Sequence, residues 1–433
     1  MIPFSGVQTR SPRRLATTAV FFFGLFALLP FARAQKISAT DSELTLDGKT
    51  TDLFQLHPRW LAETKRRVDR DDPRLEPALE HLLAEAAKAL EVGPFTVVHK
   101  KRLPPSGDPH DYMSVGPYWW PDPDKEDGLP YIRRDGEVNP ERKTYDNVPM
   151  GRMEDAVETL TLAWFFTGEK DYSDRAVTLL RTFFLDPETR MNPHLNFGQA
   201  IPGRCEGRGI GIIDTASLSR TVDYFSLLEA SPSMTDEDRR GMHAWFAEYL
   251  RWMQESKIGK QEARTKNNHI TWYDVQRATY ALYVENDDLA RQVLQQVPKL
   301  RYFRQIEPDG RQPHELARTK AFSYSVMNLR GFFLLASLGR KVGLDLWHAE
   351  SDDGRSIRQA LDYLIPFALG EETFPYKQLG GVHGRSLAPL LRQAAWIYEE
   401  PRYRKAAETL LADSNRQERF RLLIPKPPAD DHR

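Results

Sequence analysis

From Met153 almost to the end of the chain, apolar residues recur at helical spacing, in paired runs separated by short polar turns. Ala163-Trp164-Phe165-Phe166 leads through Thr167-Gly168-Glu169-Lys170-Asp171-Tyr172 to Arg175-Ala176, and Ala395-Trp396-Ile397-Tyr398 leads through Glu399-Glu400-Pro401-Arg402-Tyr403 to Lys405-Ala406. Tyr280-Ala281-Leu282-Tyr283 leads through 284–288 to Leu289-Ala290 in a looser version. Each reads as a helix ending in small and aromatic residues, a polar turn and a new helix, which is a degenerate helical-hairpin repeat. Further helices are predicted near 214–229, 236–255, 320–338, 356–369 and 386–397, and an Ala/Leu/Glu-rich one runs from Asp72-Pro73 to Ala89. Strand alternation is scarce. A hairpin cannot bury its apolar face alone, so the hairpins must stack. The pattern therefore predicts an all-α fold: an α/α toroid, an incomplete or closed barrel of helical hairpins around a central cleft.

Where the helical pattern stops, the chain changes character. Residues 35–51 read as an extended lead-in, and 415–433, with Pro425, Pro427 and Pro428, as a flexible C-terminal tail. Residues 94–150 are rich in Pro, Gly, Asp and aromatics and lack helical period. So long an irregular stretch in a compact domain is usually functional, and it predicts long loops over the cleft. At the N-terminus, Arg10, Arg13 and Arg14 precede the uncharged run 15–29, then Pro30 and Ala32-Arg33-Ala34. A basic segment, an apolar segment and a small-residue cleavage site make residues 1–34 a secretory signal peptide. The apolar run falls short of the ~20 residues of a spanning helix. The expected mature protein is a single α/α-toroid domain over 35–414, periplasmic or secreted, with no membrane attachment after cleavage.

Composition narrows the partners. Hydrophobic content of 40% and charged content of 28% are those of a globular chain. Cleavage after Ala34 removes four arginines and no acid, so the net charge goes from -1 to -5. That balance gives no support to nucleic-acid binding, and a polyanion would need a local basic site. Cys205 is the single cysteine, so no intramolecular disulfide forms. The histidines are scattered, with no H-E-x-x-H, phosphate loop or dinucleotide fingerprint, so no metal or cofactor is expected.

The densest chemistry lies at Lys266-Asn267-Asn268-His269-Ile270-Thr271-Trp272-Tyr273, where a helical pattern starts. Asn267 or Asn268 suits an N-cap. His269 then meets the positive end of the helix dipole, which favours a neutral ring and attracts an anion such as a carboxylate. The same residues also describe a polar-capped core helix with a buried histidine. Three other stretches carry polar or aromatic clusters. The first, 112–141, includes Tyr118, Trp119 and Trp120, whose flat faces suit sugar rings or would tuck a loop onto the barrel. The second, 191–211, sets Asn196, Gln199, Arg204 and Arg208 in a glycine-rich loop, as donors for a carboxylated sugar or as partners of Glu206 and Asp214. The third, 307–325, holds His314, Glu315, Arg318 and Tyr324, with Glu315 and Arg318 also readable as a helical pair.

Together, S-V-G-P-Y-W-W-P-D-P with G-L-P-Y-I-R-R-D-G, N-N-H-x-x-W-Y, and an Arg-x5-Tyr segment beside P-H-E-L resemble the alginate lyase superfamily of uronan-cleaving enzymes, over roughly 90–370. The resemblance implies an α/α toroid and a metal-independent β-elimination that leaves a 4,5-unsaturated uronate end. It implies that Asn268 and Arg318 neutralise the substrate carboxylate, and that Tyr324 stands beside the glycosidic oxygen. Neutralisation stabilises the enediolate formed when the C5 proton leaves. In β-D-mannuronate and β-D-glucuronate that proton and O4 share a face, so one tyrosine can act as base and acid. In L-guluronate they lie on opposite faces, with His269 as base and Tyr324 as acid. Tyr118, Trp119, Trp120, Asn196, Gln199, Arg204, Arg208, Tyr273, His314 and Glu315 are assigned to substrate binding. The expected partner is an anionic polysaccharide, alginate or glucuronan. The competing readings are a glycoside hydrolase using two carboxylates among Glu154, Asp155, Asp214, Glu307 and Glu315, and a non-catalytic polysaccharide-binding protein.

Overall fold

Each of the repeated turns bends through one residue in the left-handed region. Gly168 (φ 76°) separates Asn147–Thr167 from Lys170–Leu180, Glu285 (φ 60°) separates Asn268–Tyr283 from Asp287–Leu294, and Glu399 (φ 53°) separates Ala388–Ile397 from Pro401–Leu410. A single such residue reverses the chain, and each helix pair packs on itself as a hairpin. The computed structural model describes residues 36–41, 43–412 and 417–426. The signal-peptide assignment over 1–34 lies outside them.

Asn147–Thr167, Leu218–Glu229, Asn268–Tyr283 and Ala321–Gly339 are buried on nearly every face, and each packs on the next in that order. A helix apolar all round belongs inside, and these four form the inner wall. Lys170–Leu180, Asp236–Glu255 and Asp287–Leu294 bury one stripe and lie outside. The first and last described helices meet: the Trp60 and Trp396 rings are 5.7 Å apart, and Phe420–Leu423 packs on both Pro58–Val68 and Glu76–Ala89. The result is the expected α/α toroid, with one large core and a smaller cluster of Met113, Val115, Tyr131, Tyr145 and Ile201 under the loops.

Two expectations need correction. The lead-in is a three-stranded antiparallel sheet, Ile37–Ala39, Glu43–Leu46 and Lys49–Asp52, whose alternate residues Leu44 and Leu46 enter the core. Residues 417–426 do not form a loose tail. Arg419 donates to Glu85 and Thr159 at 2.8 Å each, Trp396 donates to the Pro425 carbonyl at 2.7 Å, and Leu422 is buried. The prolines suggest a loose end, but the arginine finds acceptors on Glu76–Ala89 and Asn147–Thr167, of which Thr159 is buried.

Asp223, buried on the inner wall, accepts the N–H groups of Phe54, Gln55 and Leu56 at 2.6, 2.9 and 2.6 Å. It ties the N-terminal sheet to the toroid. Asp223→Ala leaves three donors without their acceptor, so a loss of about 3 kcal/mol is expected at roughly 1 kcal/mol per bond. A denaturation midpoint unchanged from wild type would refute it.

Met113–Val115 pairs in parallel with Phe197–Ala200, and Trp119–Trp120 pairs with Ile132–Arg133. Two of the candidate stretches are thus joined above the start of Asn268–Tyr283.

Candidate active site

The helix Asn268–Tyr283 begins at an unexpected cap. Asn267 makes no side-chain cap. Instead the Glu315 carboxylate accepts both the backbone N–H and the side-chain N–H of Asn268, each at 2.7 Å. The anion drawn to this helix start is therefore the protein's own. Burial pushes the Glu315 carboxyl up, and the two Asn268 donors oppose that. The Asn268 carbonyl oxygen is buried without a protein partner, so the amide is oriented but not exhausted.

His269 points its Nδ1 at Glu262 Oε1, 2.8 Å away. The ring is 13% exposed and the Glu262 side chain 1%. A carboxylate on Nδ1 fixes the tautomer that leaves Nε2 as an acceptor, and it stabilises positive charge developing on the ring. The sequence reading invoked only the helix dipole, which acts in the opposite sense. Glu262 ends the helix Lys257–Glu262, and a Cβ on Gly209 would lie 2.6 Å from its backbone nitrogen. Only glycine lets the 207–211 loop press so closely on Glu262.

That loop leads to Arg208, which donates to the Gln199 carbonyl at 2.9 Å and to Gln199 Oε1 at 3.0 Å. The Arg208 and Arg204 guanidinium carbons lie 5.8 and 5.3 Å from the centre of the Trp119 ring. Beside Trp119, the Tyr118 hydroxyl is 2.5 Å from that of Tyr324. Tyr324 also accepts from Arg318 Nη2 at 3.0 Å, and the Arg318 guanidinium lies 3.9 Å from the ring centre. Arg318 follows Glu315 by one helical turn, which returns to Asn268. The contacts, with short stretches of chain between them, close into a circuit that carries Asn268, His269, Arg318 and Tyr324.

Two carboxylates hold the circuit in shape. Asp135 takes Arg318 Nη2 at 2.8 Å and Thr319 Oγ1 at 3.0 Å. Burial alone would raise its carboxyl, but the Arg318 and Thr319 bonds hold it well below the usual range. Asp214 accepts from Tyr112 (2.9 Å), Ser114 (2.5 Å), Gln199 (2.9 Å) and Arg142 (3.1 Å), which locks the paired loops. Burial pushes the Tyr324 phenol well up, the Tyr118 hydroxyl adds to this, and Arg318 opposes it.

Several residues assigned to substrate binding are placed otherwise. Gln199 is 4% exposed at φ 48°, and its amide is spent between Asp214 and Arg208. Tyr273 is core, donating to the Met253 carbonyl at 2.7 Å. Glu315 is buried and positions Asn268 rather than meeting a sugar. Trp119 and Trp120 carry arginines near their rings, Arg134 lying 5.2 Å from Trp120, so these are not bare stacking platforms. Asn196 accepts from Trp252 through Oδ1 at 2.9 Å. His314 and Arg204 are exposed, and Arg208 and Tyr118 are partly so. Glu262 belongs to no motif, and Asp135 stands in the G-L-P-Y-I-R-R-D-G motif with no role assigned. No spacing rule ties Glu262 to His269 across a helix break, or Asp135 to Arg318 across the chain.

The family model described as Alginate lyase matches residues 96–374. No curated protein matches the chain. Among solved structures, an alginate lyase from Bacteroides ovatus is 42% identical with a TM-score of 0.83, covering 86% of this chain and 99% of that one. Alginate lyase A1-III from Sphingomonas species A1 shares 17% identity at a TM-score of 0.57, covering 85% and 95%. A histidine-to-alanine variant of A1-III in complex with a tetrasaccharide shares 16% identity at 0.51, covering 82% and 97%. At those identities the A1-III structures speak to the fold alone.

Proposed function

We propose, from the premise that this chain belongs to the alginate lyase family, that it is a polysaccharide lyase cleaving 1,4-linked alginate by β-elimination at the opening bordered by Asn268, His269, Arg318 and Tyr324. The observation that carries the reading is the Tyr324 hydroxyl, bonded to Arg318 and Tyr118 in the same circuit as a histidine backed by a buried carboxylate. A uronate bound there meets a guanidinium at its carboxylate, a base at C5 and a phenol at O4. Arg318 stays charged beside Asp135: burial opposes that charge, but the Asp135 bond and Tyr324 raise it. It can lend donors to the enediolate without leaving Asp135, because the pair already orients the guanidinium. Tyr324, kept neutral by burial, suits the acid that protonates the leaving O4. His269 Nε2 suits the base.

Glucuronan remains a second candidate polymer, since its C5 proton and O4 share the mannuronate arrangement. We further propose export to the periplasm or beyond, on the strength of residues 1–34. The hydrolase reading loses support because its best acids are committed: Glu315 to Asn268, and Asp214 to four donors. The test is to digest alginate, polymannuronate, polyguluronate and glucuronan while following ultraviolet absorbance of the new C4=C5 bond. Absorbance should rise on at least one of them. New reducing ends without absorbance would overturn the lyase reading in favour of hydrolysis.

A further inference from the structure

We propose that the loop 376–385 is a distal carboxylate-binding rim, gripping uronates of the polymer beyond the bond being cleaved; this rests on the lyase reading above. The family match ends at 374, just before the loop, and no motif singled it out. Its backbone runs beside the reaction centre. Leu379 N–H donates to the Thr319 carbonyl at 2.9 Å, and Ala321 N–H donates to the Lys377 carbonyl at 3.1 Å. Gln378 Oε1 accepts the N–H groups of Phe322 (2.9 Å) and Ser323 (3.3 Å), and its amide donates to Ser323 Oγ at 2.9 Å. The loop thus caps the helix that carries Tyr324. It also abuts the Asp135 turn, since a Cβ on Gly136 would lie 3.1 Å from Leu379 Cδ1.

The chemistry of the loop suits a polyuronate. It contains Lys377, His383 and Arg385 and no acid. Lys377 and Arg385 are exposed, and neither they nor Lys320 pairs with a carboxylate among the described residues. On nearby loops Arg311 and Arg355 each hold an aspartate, at 2.6 and 2.9 Å. A cation already paired has part of its charge and donors committed, whereas these do not. Gly380 (φ 85°) and Gly381 (φ 79°) make the turn that sets Lys377 and Arg385 on its two arms. Apolar faces accompany them. Leu379 is 37% exposed, and Leu129 (37%) and Val138 (54%), also large exposed hydrophobics, lie on the loops that flank the opening. Alternating carboxylates and C–H faces are what a uronan presents.

The test is the double variant Lys377→Ala/Arg385→Ala, assayed by unsaturated-product formation on long polyuronate and on the shortest oligouronate cleaved. KM for the long chain should rise about fivefold with kcat kept, KM for the short one should stay within about twofold, and the difference should shrink at high salt. An unchanged long-chain KM, or equal rises on both substrates, would overturn the rim. Should the wild type form no unsaturated product from any uronan, the lyase reading fails separately. Binding of fluorescent long-chain alginate then decides the rim: about fivefold weaker in the variant supports it, and equal affinity overturns it.

Discussion

Tyr324→Phe is expected to lower kcat on every uronan by about 10³- to 10⁴-fold while changing KM little, the size of effect that follows loss of a positioned acid. The substitution removes one oxygen. The ring keeps its place against the Arg318 guanidinium, 3.9 Å from the ring centre, so the fold and thermal midpoint should hold. What goes is the hydroxyl whose oxygen lies 2.5 Å from that of Tyr118 and accepts from Arg318 Nη2 at 3.0 Å. Without it, O4 departs as an alkoxide into a site with one donor fewer. The sign of the pH dependence follows from burial. The phenol is pushed up from an ordinary value of about 10, so an acid there stays loaded through neutral and mildly alkaline pH. Any fall in kcat between about pH 7 and 9 must then come from another group. A Phe variant with raised KM and unchanged kcat would make Tyr324 a binding residue only, and unchanged activity altogether would leave the chain without this mechanism.

The legibility of the chain tracks how local each feature is. The hairpins are readable because a helix, one left-handed turn residue and a return helix sit in one unbroken stretch, 147–180 around Gly168 and 388–410 around Glu399. Asp236–Glu255 matches its predicted span because a capping box at Thr235 and Asp238 marks its start. The helix Pro58–Val68 escaped notice: it buries Trp60 and Leu61 but carries charges through its last turns. In the site, motif order singles out Asn268, His269, Arg318 and Tyr324, which lie on one circuit of contacts. The groups that hold them could not be read. Glu315 touches Asn268 across 47 positions and Asp135 touches Arg318 across 183. For the same reason Tyr273 and Gln199 looked available. Nothing local says that the Tyr273 hydroxyl ends on the Met253 carbonyl, or that Asp214 consumes the Gln199 amide.

Removing His269 is expected to separate the polymers. On polyguluronate the C5 proton and O4 lie on opposite faces, so the base and acid are different groups. His269→Ala should then cost about 10²- to 10⁴-fold in kcat, the full worth of a general base. On polymannuronate the two atoms share a face that Tyr324 can serve alone, and the loss should be smaller by about tenfold or more. That route must first lose the phenol's proton to solvent against the burial that holds it there. His269 has one nitrogen on Glu262 at 2.8 Å, so the alanine variant also leaves a buried carboxylate without its partner. A thermal midpoint measured alongside separates that structural cost, which acts equally on both polymers, from the catalytic one, which does not. Equal losses on polyguluronate and polymannuronate, with the fold intact, would remove His269 from proton transfer at C5 and leave it an electrostatic or positioning role.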